Sequence, residues 1–487
     1  MNKLRKLVGL DSPVTGWYIL SSIKFERSFF MAENINLREN PMESTRIDKL
    51  VLKFAIPCVI AMLVSALYNF VDQIFIGQGV GYIGNAATNI AFPLMVLSQG
   101  FALLFGDGAA AFYSIKLGEG NKEDGAKGIG NIITMLIVTG ILFLVIGYIF
   151  LERILWSFGA TSSTIEYALD YMRIILISLP FTVIMCGLNS IIRADGSPEY
   201  GMAALLSGTI INLALDPVFI FVFHMGVEGA AIATVIGEFI SCIICINYLR
   251  KFKNIDFDLS LMKLDFNILK TTVIFGIPTF ITQIAVTLII IVSNNMMVKY
   301  GAESIYGSDI PLSVMGIVMK VNDILIGIVI GIAAGGQPVA GYNFGAGNYK
   351  RVKETYFILI KMSTIVSIIG FIMFQFFSQS IIDLFGRNND LYNEFALKAF
   401  KIFLMLCIFI GFELTTMIFF QSIGKPVKSM ILTLCKQTIF IIPLMVILPR
   451  FFGVEGVLYA GPCAEIISAL VTFILIKKQF SEFKLKC

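Results

Sequence analysis

The chain has 487 residues, 57% hydrophobic and 14% charged, with a mean hydropathy of +0.84 and a net charge of +4. A soluble domain carries about 25% charged residues, so the composition excludes one and indicates a polytopic membrane protein. Most of the eight Cys lie inside apolar segments, which argues against a disulfide framework, and Cys242 and Cys245, with no His beside them, read as small packing residues.

The amino-terminal tail, residues 1–46, has no apolar core long enough for a signal peptide or a span. Residues 1–30 read as an upstream-extended start or a disordered basic tail, so a chain beginning at Met31 is expected to be made and to work. Twelve apolar runs follow: 51–77, 87–113, 128–151, 165–190, 199–223, 227–249, 270–298, 311–335, 353–379, 394–419, 428–449 and 454–476. Each is long enough to cross a bilayer as a helix. The longest break falls mid-chain and divides a first lobe, 47–250, from a second, 270–478, through a linker at 251–269; a basic tail, 479–487, ends the chain. Lys and Arg crowd into alternate loops, among them Lys116, Lys122, Arg193, Lys251, Lys350 and Lys425. The opposite loops hold only Arg153, Lys299, Arg387 and Arg450. This asymmetry predicts both termini on the cytoplasmic side.

The two lobes repeat each other at an offset of 227–228 residues. "KLGEGNKE" at 116–123 returns as "NFGAGNYK" at 343–350, "YALDYMRIIL" at 167–176 as "FALKAFKIFL" at 395–404, and "GVEG" at 226–229 recurs at 453–456. Each copy holds an even number of spans, so both insert the same way round. The predicted fold is all-α, with twelve membrane helices in two six-helix lobes related by a parallel repeat.

The first span ends in "ALYNFVDQIF", with Asp72 at membrane depth and Tyr68 and Asn69 on the same helix face. A carboxylate at a helix centre in lipid costs roughly 2.5 kcal/mol or more. The fifth span adds "NLALDP", with Asn212 and Asp216 one turn apart and Pro217 removing a backbone donor; the sixth adds Thr234 and, a turn on, Glu238. Freed carbonyls beside carboxylates and an amide suit a cation. Asp72 corresponds to Ser293–Asn295 in the second lobe, Asp216 to Pro443 and Thr234 to Gly461, whereas Glu238 recurs as Glu465. Two acids present in one lobe alone indicate function in that lobe; a recurring Glu suits structure. Asp170 with Arg173, and Lys320 with Asp323, read as local pairs. Asp107 in "FGDGA" reads as part of a close helix contact, and Glu413, with no obvious partner, as a candidate cation site in the second lobe.

No Walker A pattern occurs, and the lone His224 has no nucleophile or metal motif around it. ATP hydrolysis and membrane-embedded hydrolysis therefore lack their parts. "ENPM" leading into "LKFAIPCVIAMLVSALYNFVDQIFIG", with "RADGSP", "NLALDPVFIF", "GVEGAAIATVI", "QPVAGYNFGAGNYKRV" and "QSIGKP", resembles the multidrug and toxic compound extrusion (MATE) family over residues 40–478, nearest its DinF/MepA-like bacterial branch. The resemblance implies a transporter of the bacterial inner membrane that exchanges protons or sodium ions for amphipathic, often cationic compounds. It implies no other cofactor, no nucleic-acid partner, and a monomer in the bilayer. The family's coupling residues fall on Asp72, Asn212, Asp216 and Thr234, which would also be the sodium ligands if sodium is used. Other branches place an acid on the seventh helix; the seventh span here has none. The alternative within the superfamily is a flippase for a polyanionic lipid-linked substrate, which would need a basic cavity.

Overall fold

The computed structural model describes residues 45–484 except 81, 159, 161–164, 308 and 385–389. The tail at 1–30 and the side chains of Tyr68 and Asn69 lie outside what is described. Among the described residues every regular element is helical. The first lobe comprises α1 (Ile47–Gly79), α2 (Tyr82–Gly118), α3 (Lys122–Ser157), α4 (Ile165–Ala194), α5 (Pro198–Pro217) and α6 (Gly226–Asn247). The second comprises α7 (Phe266–Ala302), α8 (Asp309–Gly345), α9 (Tyr349–Phe376), α10 (Ser378–Leu384), α11 (Asp390–Phe403), α12 (Ile410–Ser422), α13 (Pro426–Thr433), α14 (Ile442–Ile447), α15 (Pro449–Phe452) and α16 (Val454–Lys484). Among the described residues eleven spans are long and apolar enough to cross a membrane; α11 and the segment Cys407–Ser422, bent by 43°, taken as one span make a twelfth.

The helices run several residues beyond the apolar runs because polar caps, not hydropathy, set their ends. Asn121 accepts the Asp124 amide to start α3, and Asn348 accepts that of Arg351 to start α9. These caps are one repeat apart. The glycine before each, Gly120 (φ 78°) and Gly347 (φ 72°), takes the left-handed turn that a side chain would resist. Gly226 (φ 58°) and Gly453 (φ 60°) do the same one repeat apart.

Three spans read as single helices are not continuous, two of them at a proline. Pro217 ends α5, and a π-helical turn, Val218–Val222, follows. The eleventh span passes from α13 through a longer π segment, Leu434–Ile441, into α14 with Pro443 in its first turn. In each case a proline lacks the amide that would continue the α ladder, and the backbone re-registers around it. The tenth span breaks near Cys407, where the Gly411 amide donates to Ser367 Oγ on α9 (3.0 Å).

Lipid and core faces separate by helical spacing. Val138, Ile141, Leu142, Val145, Ile146 and Ile149 form an exposed stripe along α3, while α4 has 61% of its apolar window buried and is the axis of the first lobe. The lobes meet through α1 and α2 against α7 and α8. Contacts cluster at the start of α1 and α7 and the end of α2 and α8, which is the side holding the linker. There Gly108 lies against the Thr272 carbonyl, Gly276 against that of Leu104, and Gly335 against Ala55. The linker is fastened to the first lobe by Asp195. Its fully buried carboxylate accepts from Tyr113 Oη (2.7 Å), Tyr248 Oη (2.8 Å), the Lys253 amide (2.7 Å) and Asn254 Nδ2 (3.0 Å). Asp195→Ala leaves those donors without an acceptor. It is expected to cost about 3 kcal/mol of stability, seen as a lowered thermal midpoint in detergent.

Candidate functional site

Three helices bring the first-lobe polar residues together. Asp72 comes from the last turns of α1, Asn212 and Asp216 from α5, and Thr234 from α6. Facing glycines let α5 and α6 approach closely: a Cβ on Gly208 would meet the Gly237 carbonyl, and one on Gly237 would meet that of Gly208. Across this contact Asn212 Nδ2 donates to Thr234 Oγ (3.1 Å), which donates to the Ala230 carbonyl (3.0 Å). Asn212 thereby spends an amide hydrogen on Thr234, while its carbonyl oxygen is buried without a donor.

The carboxyl groups of Asp72 and Asp216 lie directly against each other. Asp216 is 0% exposed and Asn212 3%. Neither oxygen of Asp216, nor Asp72 Oδ1, nor Asn212 Oδ1 has a hydrogen-bond donor. The two carboxyl groups thus meet as acceptors only, and Asn212 adds a further buried acceptor on the same helix as Asp216. Buried carboxylates are stable when a proton or cation compensates them and expensive otherwise. The arrangement can therefore load and release a small cation. Asn212→Ala removes one neutral oxygen and the Thr234 partner but keeps both acids. A few-fold loss of transport is expected, measured as initial efflux rate at matched protein level.

Glu238 does not join this pair directly. Its carboxylate accepts a hydrogen bond from Thr182 Oγ on α4. Tyr171, also on α4, is buried within electrostatic reach of Asp72, Asp216 and Glu238. Sequence reading passed over it as one more aromatic. The signal was available, because its counterpart in the other lobe is Ala399, the same one-lobe pattern that marked Asp72.

Other expectations need correction. Glu413 has a partner: Lys436 Nζ lies 2.7 Å from its Oε2 and 2.6 Å from Glu465 Oε1. The π segment turns Lys436 inward between α12 and α16. Among the described residues no ion pair joins Lys320 to Asp323, which is exposed on its helix, whereas Asp170 and Arg173 do pair at 3.7 Å. Arg193, counted as a loop cation, is buried 3.5 Å from Asp107. The glycines beside Asp107 pack closely, Gly106 on Gly187 and Gly108 on Gly276. Asp107 itself is more than a spacer, since it accepts from Ser190 Oγ (2.6 Å) and, across the lobe boundary, from Thr279 Oγ (3.4 Å). Cys242 and Cys245 are both buried, and no His, Cys, Asp and Glu group among the described residues is arranged for a metal ion.

The sequence profile of the MatE family matches residues 57–218 and again 278–447, once in each lobe. The chain belongs to the MATE family. Within that family it is 27% identical over 441 residues to the multidrug export protein MepA of Staphylococcus haemolyticus, covering 89% of this chain and 94% of that one. MepA of Staphylococcus aureus is 26% identical over 437 residues, with the same coverage. Among solved structures, a ligand complex of the MATE multidrug transporter DinF-BH superposes with a TM-score of 0.84 at 33% identity, over 92% of this chain and 98% of that one. A MATE structure in complex with MaL6 shares the fold, with a TM-score of 0.85 at 22% identity over 92% of this chain and 100% of that one. This MATE chain is thus a multi-pass membrane transporter with two repeated six-span lobes, and its relatives are of the MepA and DinF kind.

Proposed function

We propose that this MATE transporter exports amphipathic, often cationic small molecules across a bacterial cytoplasmic membrane in exchange for protons or sodium ions. The observation behind the coupling is the pair Asp72–Asp216, in which both oxygens of Asp216 and Oδ1 of Asp72 are buried without a donor. With Asn212 one turn away on the same helix, its Oδ1 also buried without a donor, these oxygens suit a proton or a sodium ion bound as transported cargo. No other cofactor is called for, and the protein works in the bilayer as a monomer without nucleic acid.

The Lys- and Arg-rich loops support both termini and the linker being cytoplasmic. On that orientation the lobes are closed towards the cytoplasm, where α1 and α2 press on α7 and α8. Transport then proceeds as rocking of one lobe against the other, which opens this contact when the cytoplasmic side is exposed. Cation loading at Asp72–Asp216 changes the charge buried in the first lobe and biases which side opens. A flippase for polyanionic lipid would want cations lining the first lobe. The two arginines of α4 are instead committed to acids, Arg193 to Asp107 and Arg173 to Asp170. The experiment is ethidium efflux from an exporter-deficient bacterial strain. Expression of this protein should lower dye accumulation; equal accumulation with and without it contradicts drug export.

A further inference from the structure

The second lobe holds a buried charge cluster that the first lobe lacks. Glu413 on α12, Lys436 on the π segment and Glu465 on α16 form an acid–base–acid triad, with Lys436 Nζ 2.7 Å from Glu413 and 2.6 Å from Glu465. Glu413 is 4% exposed and Glu465 12%. In the register that pairs Asp216 with Pro443, Thr209 stands where Lys436 does, and Met185 of the fourth span stands where Glu413 does, so the triad is not inherited symmetry.

Counting charge leaves the triad one positive charge short. Two carboxylates and a single ammonium bury a net negative charge at membrane depth. Counting hydrogen bonds gives the same shortfall. Lys436 uses one oxygen of each acid, and the others, Glu413 Oε1 and Glu465 Oε2, are buried with no donor. The two carboxyl groups are themselves within hydrogen-bonding reach of each other. One proton supplies both missing items. It neutralises the excess charge, and the resulting O–H of one acid donates to the other. The Cys407 thiol lies within electrostatic reach of Glu465. The charged groups acting most strongly on Glu413 and Lys436 are each other and Glu465.

We propose that Glu413 and Glu465 hold one exchangeable proton between them, with Lys436 as a tethered counter-cation, so that the second lobe is a proton-binding lobe in its own right. Loading adds a proton from water to a carboxylate to give a carboxylic acid; unloading reverses it. Lys436 already occupies the position between the acids that a metal cation would take, so the site accepts a proton and not sodium. This assignment is independent of the first-lobe pair.

The test is infrared spectroscopy of the full-length protein in lipid vesicles, following the C=O stretch of protonated carboxyl groups. The background is Asp72→Asn with Asp216→Asn, which removes the first-lobe acids. In that background Glu413→Gln and Glu465→Gln should each remove part of the protonated-carboxyl band, because each leaves Lys436 with a single acid and a neutral pair. Lys436→Met should instead raise the band, since both acids lose their counter-cation. Adding sodium should leave it unchanged. A band that neither Gln variant lowers, that Lys436→Met fails to raise, or that sodium displaces overturns the proposal.

Discussion

Asp72→Asn and Asp216→Asn are each expected to abolish gradient-driven efflux while leaving the protein folded and inserted. Asn has nearly the same shape as Asp but binds neither a proton nor sodium with comparable strength, so each variant removes the loading step and little else. The insertion cost of a carboxylate in lipid, roughly 2.5 kcal/mol or more, falls away with the acid, so stability should hold or rise. The driving forces at stake are large enough to matter. One charge moved through 100 mV is worth about 2.3 kcal/mol, and one pH unit about 1.4 kcal/mol per proton. Together they bias opening by a few hundred-fold. A site that no longer loads forfeits that bias, and efflux should fall to the level of an empty membrane. Dye efflux at matched expression, with size-exclusion profile and thermal midpoint as folding controls, checks this. A folded Asp72→Asn protein that exports at the wild-type rate would reduce the carboxylate to a tether between helices.

The second large effect is expected from Gly276→Val. Gly276 on α7 lies on the Leu104 carbonyl of α2, and a Cβ there would run into backbone, which cannot step aside as a flexible side chain can. Overfilling a packed contact costs typically about 1–3 kcal/mol. Here the lobes can relieve it by separating, because each keeps its own core: Phe395, Phe400 and Met445 in the second, Met172, Ile175 and Leu176 in the first. The variant should therefore fold but fail to close on the linker side, and transport should stop. Spin labels at Lys122→Cys and Lys350→Cys, exposed residues at the equivalent loop of each lobe, report the closure directly. The distance should lengthen in Gly276→Val. An unchanged distance with transport intact would mean that α2 and α7 do not form the cytoplasmic closure.

The parts of this molecule that the sequence reveals are those with a strong local cost. Twelve spans stand out because lipid demands long apolar runs, and the repeat stands out because turn glycines and caps return in register, as Gly120–Asn121 do at Gly347–Asn348. Asp72 and Asp216 are conspicuous because an acid in an apolar helix is expensive and because the other lobe lacks them. What stays hidden depends on distant packing. Lys436 is 23 residues from Glu413 in the chain, and only the π segment turns it inward. Asp195 looks like an ordinary loop acid, yet it gathers donors from α2, the end of α6 and the linker. Arg193 reads as a surface cation because it sits near a loop, whereas Asp107, far away in sequence, draws it inside.

The central claim is that cation loading of the first-lobe acids drives export. Dye flux in proteoliposomes tests it most directly, with a proton gradient, a sodium gradient or no gradient imposed in turn. Wild-type protein should export faster under at least one of the two gradients, acid or sodium-rich on the side that the dye leaves towards, and Asp72→Asn should respond to neither. Equal export by wild-type protein under all three conditions would contradict the account.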